Sequence, residues 1–185
     1  DIFGAGEQVV TSQTLLFSFV YLTGNTTFKP PDFEFHFTPA YNFNYVQSEE
    51  ERLLEIDPRN GKGRGDQHLG LQELFVDFHL RNVSDRYDFD SVRFGIQPFS
   101  TDFRGFLFQD NQLALRLFGT RDNNRWQYNL ALFRRLEKNI NSALNDVTIA
   151  PRKDDIFVAN LYRQDFPFTG FTSQGILLYN RNRET

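Results

Sequence analysis

The sequence predicts an all-β protein, an antiparallel meander of about eight strands forming a transmembrane β-barrel. Three observations carry the prediction. Segment after segment alternates apolar and polar residues with a period of two. The chain combines 22 Phe, 7 Tyr and 1 Trp with only 39% apolar residues and a mean hydropathy of −0.51. Short and long polar connections alternate between the strands. Successive side chains of a strand point to opposite faces. In a bilayer every backbone polar group must be paired, so a sheet spans only when closed, with apolar residues outward and polar ones inward. Such a chain is rich in Phe and still hydrophilic on average.

The elements follow in order. Residues 14–22 place Leu15, Phe17, Phe19 and Tyr21 on one face, although the other face is also fairly apolar. Residues 32–46 are the clearest: Phe33, Phe35, Phe37, Tyr41, Phe43 and Tyr45 oppose Asp32, Glu34, His36, Thr38, Asn42 and Asn44. A run of ~15 residues extends roughly 50 Å, whereas a globular strand averages ~5–6 residues. Residues 70–81 set Leu74, Val76, Phe78 and Leu80 against Glu73, Phe75, Asp77 and His79. Residues 89–97 set Val92, Phe94 and Ile96 against Ser91, Arg93, Gly95 and Gln97. The same alternation marks 111–118 (Leu113, Leu115, Leu117) and 125–133 (Trp126, Tyr128, Leu130, Leu132), and more weakly 154–163 and 171–181. Helix is confined to a turn or two within 134–145. Tyr21, Tyr41, Tyr45, Trp126, Tyr128, Tyr162 and Tyr179 suit interfacial girdles near strand ends.

Connections at 23–27, 82–88, 120–124 and 164–170 are short, and those at 47–66, 98–110 and 136–153 are long. Short turns at one end and long loops at the other are the layout of an outer-membrane barrel. No internal repeat and no linker interrupts residues 1–185, which read as a single barrel domain.

Several classes are excluded. Disordered chains are poor in aromatics, and no run approaches the ~20 apolar residues of a membrane helix. A net charge of −4 and a pI of about 5.4 argue against a nucleic-acid partner. Cysteine is absent, so disulfides and thiolate metal sites are excluded. His36, His68 and His79 lack zinc spacing. No GxSxG, P-loop or Ser-His-Asp grouping occurs, so neither an enzyme nor a cofactor is expected. Residues 57–66 (DPRNGKGRGD) read as a glycine-rich loop tip, because their spacing does not fit an EF-hand calcium loop.

On the polar faces lie Glu34, His36, Glu73, Asp77, His79, Arg93, Arg116 and Arg125. Lining a lumen, these opposed charges would create a transverse field that tunes which solutes pass. Alternatively they pair across strands and plug a narrow barrel, since ~8 strands are filled by side chains while open channels have about 16. In the 98–110 loop, Asp102 and Arg104 stand among Phe99, Phe103, Phe106 and Phe108. That loop folds inward as a constriction or packs as an ordinary external loop.

The strand and exit Val92-Arg93-Phe94-Gly95-Ile96-Gln97-Pro98-Phe99 and the segment Gly119-Thr120-Arg121-Asp122-Asn123-Asn124-Arg125-Trp126-Gln127-Tyr128 resemble Gram-negative outer-membrane porins of the alginate-export and carbohydrate- or phosphate-porin type. The resemblance covers under a quarter of the chain. It implies a larger barrel that conducts anionic or sugar-like solutes, with Arg93, Gln97, Arg116 and Arg125 facing the pore. Such barrels usually end in a terminal aromatic and begin with a long loop. Here the chain ends Arg181-Asn182-Arg183-Glu184-Thr185 and the first link is short, so it is read as a segment of a longer polypeptide. The expected function is passive diffusion of small hydrophilic solutes through a charged lumen in the bacterial outer membrane, with membrane lipid and lipopolysaccharide as surroundings and a protein partner or homo-oligomer as further company. The alternatives are a plugged barrel that anchors or encloses a partner protein and a soluble β-sandwich binding module.

Overall fold

The alternating segments are realised as strands. The computed structural model describes residues 8–24, 30–48, 59, 63–102 and 105–184. The elements are β1 (Gln8–Leu16), β2 (Phe19–Thr23), β3 (Phe33–Ser48), β4 (Gly63–Asn82), β5 (Phe89–Ser100), β6 (Gln109–Arg121), β7 (Trp126–Arg134), β8 (Glu137–Lys138), β9 (Asn145–Asp146), β10 (Asp154–Gln164) and β11 (Thr172–Asn182). No α-helix occurs among the described residues. The main sheet is an antiparallel meander in the order β1-β3-β4-β5-β6-β7-β10-β11, with β2 also on β3, and β8 and β9 form a separate small hairpin.

β1 and β2 run along β3 as one interrupted line, from Gln8↔Ser48 to Leu16↔Ala40 and from Phe19↔Phe37 to Thr23↔Phe33. The interruption at Phe17 and Ser18 lies beside Pro39, where the β3–β4 register also shifts. Proline offers no N–H to the ladder, so a bulge is its natural place in a sheet. The Pro39 carbonyl instead accepts the Phe17 N–H at 3.1 Å. The sheet is not closed: β1 with β2 forms one edge and β11 the other.

Two segments depart from the expected outline. β4 starts at Gly63, so residues 63–66 of the expected glycine-rich tip are strand, paired as Tyr45↔Gly65 and Gln47↔Gly63. Cross-strand pairing here overrides the weak strand propensity of glycine. Asp57, Pro58 and residues 60–62 of that tip lie outside the described residues. The expected helical turns in 134–145 are the β8–β9 hairpin, with a single turn from Asn139 O to Ala143 N–H at 2.8 Å. Asn139 Oδ1 takes the N–H groups of Asn141 and Ser142 at 3.2 and 3.0 Å. This is the local competition by which Asn disfavours a continuing helix.

The register sorts the side chains into two faces. One cross-sheet row reads Tyr21–Phe35–Val76–Phe94–Leu115–Leu132–Phe157–Tyr179. Its neighbour reads Thr23–Phe33–Phe78–Val92–Leu117–Leu130–Ala159–Leu177. In the chain alone this face is bare, and Phe94, Leu115 and Leu132 are each more than half exposed. The buried cluster lies on the opposite, otherwise polar face: Phe99, Ala114, Ala131, Phe133, Ile156 and Val158, with Phe108 and Leu178 against it.

Candidate functional site

The polar face carries a charge row set by strand register. Glu34 on β3 pairs with Asp77 on β4, Asp77 with Arg93 on β5, and Arg93 with Arg116 on β6. Two acids are therefore followed by two bases across four neighbouring strands. Arg93 Nε and Nη2 both donate to Asp77 Oδ2, at 2.9 and 2.7 Å. The Arg93 guanidinium also lies over the Phe75 ring, 4.4 Å from its centroid. Arg116 has no ion pair among the described residues; its Nε donates to Asn129 Oδ1 at 2.8 Å, and its head lies over Phe118 at 4.5 Å and Phe99 at 5.1 Å. Aromatic faces attract a guanidinium, so both arginines are held in place without a carboxylate each.

The next row holds the first of these rings, Phe75. His36 stacks on Phe75 at 4.3 Å and bonds Glu34 at 3.1 Å. Phe75 sits opposite Gly95, whose φ of +128° and contacts forbid a side chain: a Cβ there would lie 2.1 Å from the Leu74 carbonyl oxygen. Glu73 accepts the Thr38 hydroxyl at 3.0 Å. Glu34, His36, Glu73, Asp77, Arg93 and Arg116 are thus gathered on one face, as the alternation predicts.

Other expected wall residues stand elsewhere. Arg125 lies in the β6–β7 turn, its side chain 58% exposed and 3.9 Å from Asp122. Asp122, Asn123 and Asn124 all have positive φ, and this turn absorbs Arg125 before β7 begins. Gln97 is 0% exposed and donates to the Ala114 carbonyl at 3.1 Å, so it lines no open space. His79 does keep to the polar face, two residues from Asp77 and opposite Ser91, but near the end of β4, where it bonds Asn82 Oδ1 at 3.0 Å. Tyr162, expected in an outer girdle, shares the polar face with Asn160 and Val158 by its place in β10.

The 98–110 loop is shorter than expected, because Pro98–Ser100 extend β5 and Gln109 opens β6. Its described part folds over the polar face. Phe99 and Phe108 pack on Phe133, at 4.9 and 5.1 Å between centroids. The Thr101 carbonyl accepts Asn160 and Gln174 side chains at 2.8 and 3.0 Å. Asp102 accepts the Phe106 and Leu107 N–H groups at 3.2 and 3.3 Å, bracing its own loop. Arg104 lies outside the described residues.

The longest inward reach belongs to a segment the sequence did not single out. The β7–β10 connection crosses the polar face to β4. Leu136 N–H donates to Gln112 Oε1 at 2.5 Å, and Lys138 Nζ meets Asp110 at 2.7 Å. Asn145, 0% exposed, donates to the carbonyls of Asn111 at 2.9 Å and Leu71 at 3.1 Å. Gly70 makes room: a Cβ there would lie 2.8 Å from Asn145 O. A glycine inside a strand pattern marks such a close approach, and it was the available signal.

The bare apolar face is edged by charge at both ends. At the short-turn end Asp90 takes Arg81 at 2.8 Å, Arg121 at 2.7 Å and the Tyr128 hydroxyl. Nearby, Arg163 lies over Trp126 at 4.3 Å. At the long-loop end Arg134, Asp155 and Arg181 form one row. Beyond the strands, Asp88 accepts the N–H groups of Asn123 and Asn124 at 3.2 and 3.1 Å. Burial pushes the Asp88 carboxyl up, but these donors, Ser84 and the Arg121 charge prevail and hold it below the ordinary aspartate value.

No group of three His, Asp or Glu residues suited to a metal occurs among the described residues. No family model matches the chain, and no curated protein or solved structure matches it either.

Proposed function

We propose that this sheet is the wall of a bacterial outer-membrane barrel that passes small hydrophilic solutes by passive diffusion, in the manner of a porin. The carrying observation is the pairing of a bare apolar row on all eight strand lines with a charge row of two acids and two bases on the other face. Phe94, Leu115, Leu132, Leu161, Leu177 and Tyr179 are all exposed on this one face, whereas soluble monomers rarely expose a large contiguous apolar patch. Between Asp155 and Arg163 on β10 the exposed face is apolar for about 26 Å of strand, or about 20 Å of depth at a tilt of ~40°.

A second feature supports the same reading. The apolar window slides along the strands. It centres on Phe157–Leu161 in β10 but on Phe33–Tyr45 in β3, whose register counterparts run from Ala159 past Asp155 toward the long-loop end. Tilted strands of a barrel require such a stagger. A bilayer tolerates no unpaired strand edge, so β1, β2 and β11 need partners. Further strands between them would widen the lumen toward the ~16 strands of open channels.

The charge row then acts on solutes. Acids on β3 and β4 and bases on β5 and β6 set a transverse field at the wall. Planar-bilayer recording of the purified protein tests the proposal, and an absence of conductance steps at every voltage sinks it. The plugged-barrel reading is favoured by the Phe99–Phe108–Phe133 cluster under the 101–108 loop. Heat-modifiable gel migration together with silent bilayers would select it. Solubility without detergent would instead select the β-sandwich reading.

A further inference from the structure

The bare face carries a groove of about 570 Å³ at its long-loop end. Its floor is Leu115, Leu132, Phe157 and Tyr179, consecutive members of one cross-sheet row. Directly above that row stand Arg134, Asp155 and Arg181, also register partners. Asp155 is shared: Arg134 reaches it at 2.9 Å and Arg183 at 2.5 Å. Arg181 has no ion pair among the described residues. Three guanidiniums therefore face one carboxylate, beside an apolar trough, and two positive charges are left over.

We infer that this groove is a lipid site, with acyl chains on the Leu115–Tyr179 floor and a headgroup phosphate on Arg134 and Arg181. Charge complementarity selects the occupant. A detergent-like or zwitterionic lipid would satisfy the floor alone. A phosphate of net negative charge also satisfies the guanidinium forks, which match its oxygens geometrically. Exposed polar heads with apolar chain below follow the order of a bilayer leaflet. On the porin-like reading the long-loop end faces outward, so the lipid belongs to the outer leaflet. The inference rests on that reading for the face being in lipid.

The test uses the whole chain purified in a neutral detergent. Phosphatidylglycerol and phosphatidylcholine with the same acyl chains are offered at equal concentration, and bound lipid is counted by native mass spectrometry. The expected result is a preference for phosphatidylglycerol of about tenfold, falling to within about twofold in Arg134→Ser/Arg181→Ser. Asp155→Asn, which removes the competing carboxylate, should raise the preference and serves if the double variant misfolds. Equal retention of the two lipids by the unaltered chain overturns the site. So does an unchanged preference in the double variant, or in Asp155→Asn where the double variant does not fold. Displacement of the lipid by inorganic phosphate at equal concentration would overturn it as well, marking a simple anion site. Heat-modifiable migration and the detergent requirement are followed in parallel; losing these would overturn the barrel reading, whereas losing lipid preference with both intact overturns the lipid site.

Discussion

The Tyr128 hydroxyl on β7 donates to the Asp90 carboxylate on β5, passing over Gly119 on the strand between them. Gly119 permits the crossing because it has no side chain: a Cβ would lie 2.2 Å from the Phe89 carbonyl oxygen and 2.9 Å from the tyrosine hydroxyl. An aromatic covering a strand glycine is a recurrent stabilising device in barrels. Gly119→Val should cost about 1–3 kcal/mol by overpacking. Tyr128→Phe should cost about 1.5 kcal/mol, the worth of a bond to a charged group. Asp90→Ala should cost more than Tyr128→Phe, because Arg81 and Arg121 lose their acceptor. Urea unfolding in detergent measures all three, and an unchanged midpoint for Gly119→Val would contradict the crossing.

Asp77 neutralises Arg93 in the charge row. Asp77→Asn leaves a half-buried guanidinium unpaired and should cost about 3 kcal/mol. In bilayers it should also move the reversal potential toward anion preference, while Arg116→Ala moves it toward cations. Shifts of the same sign in both variants would show that the row does not set the field at the wall.

Phe133 is 1% exposed and touches both Phe99 and Phe108. Phe133→Ala should destabilise by about 3–5 kcal/mol, since large aromatic truncations in a core cost that much. A loss below 1 kcal/mol by urea unfolding would mean that the cluster under the 101–108 loop is not a packed core.

Asn145 pins the β7–β10 connection onto β4 and β6. Asn145→Ala removes two hydrogen bonds and leaves their carbonyls buried, at a cost of about 2–3 kcal/mol. Cleavage by a protease near Asn139–Ser142 should accelerate, and single-channel conductance should rise as the segment lifts. Cleavage and conductance both unchanged would count against the segment covering the polar face of the proposed pore wall.

Asp88 ties the β6–β7 turn to the chain before β5. Its carboxyl titrates lower when folded than when unfolded. Its contribution is therefore fully present above the unfolded value and is lost as pH falls through the folded one. Stability should stay level from pH 7 to about 5 and decline below about pH 4. Asp88→Asn should lower the midpoint at pH 7 and flatten that decline. Identical pH profiles for the two proteins would refute the assignment.

Strand identity and facing were legible in the residues because a period of two is local. Phe33, Phe35 and Phe37 share a face whatever they pair with, and so do Glu34 and His36. The longer reach of β4 was not legible, because Gly63 and Gly65 have poor strand propensity and become strand only by pairing with Gln47 and Tyr45. The same limit hid the inward segment. Asn139, Asn141 and Asn145 read as turn residues, and nothing local shows that Asn145 meets carbonyls on two distant strands.

Composition and alternation alone were enough to require an all-β chain with one apolar and one polar face, since side-chain direction in a strand follows from backbone geometry. Which charges meet depended on register. A shift of one residue between β4 and β5 would turn Arg93 away from Asp77, so the order Glu34, Asp77, Arg93, Arg116 exists only in the assembled sheet. The same holds for Arg134, Asp155 and Arg181, far apart in the chain and side by side across three strands. Local chemistry sets the face a residue takes, and long-range backbone pairing sets its neighbours.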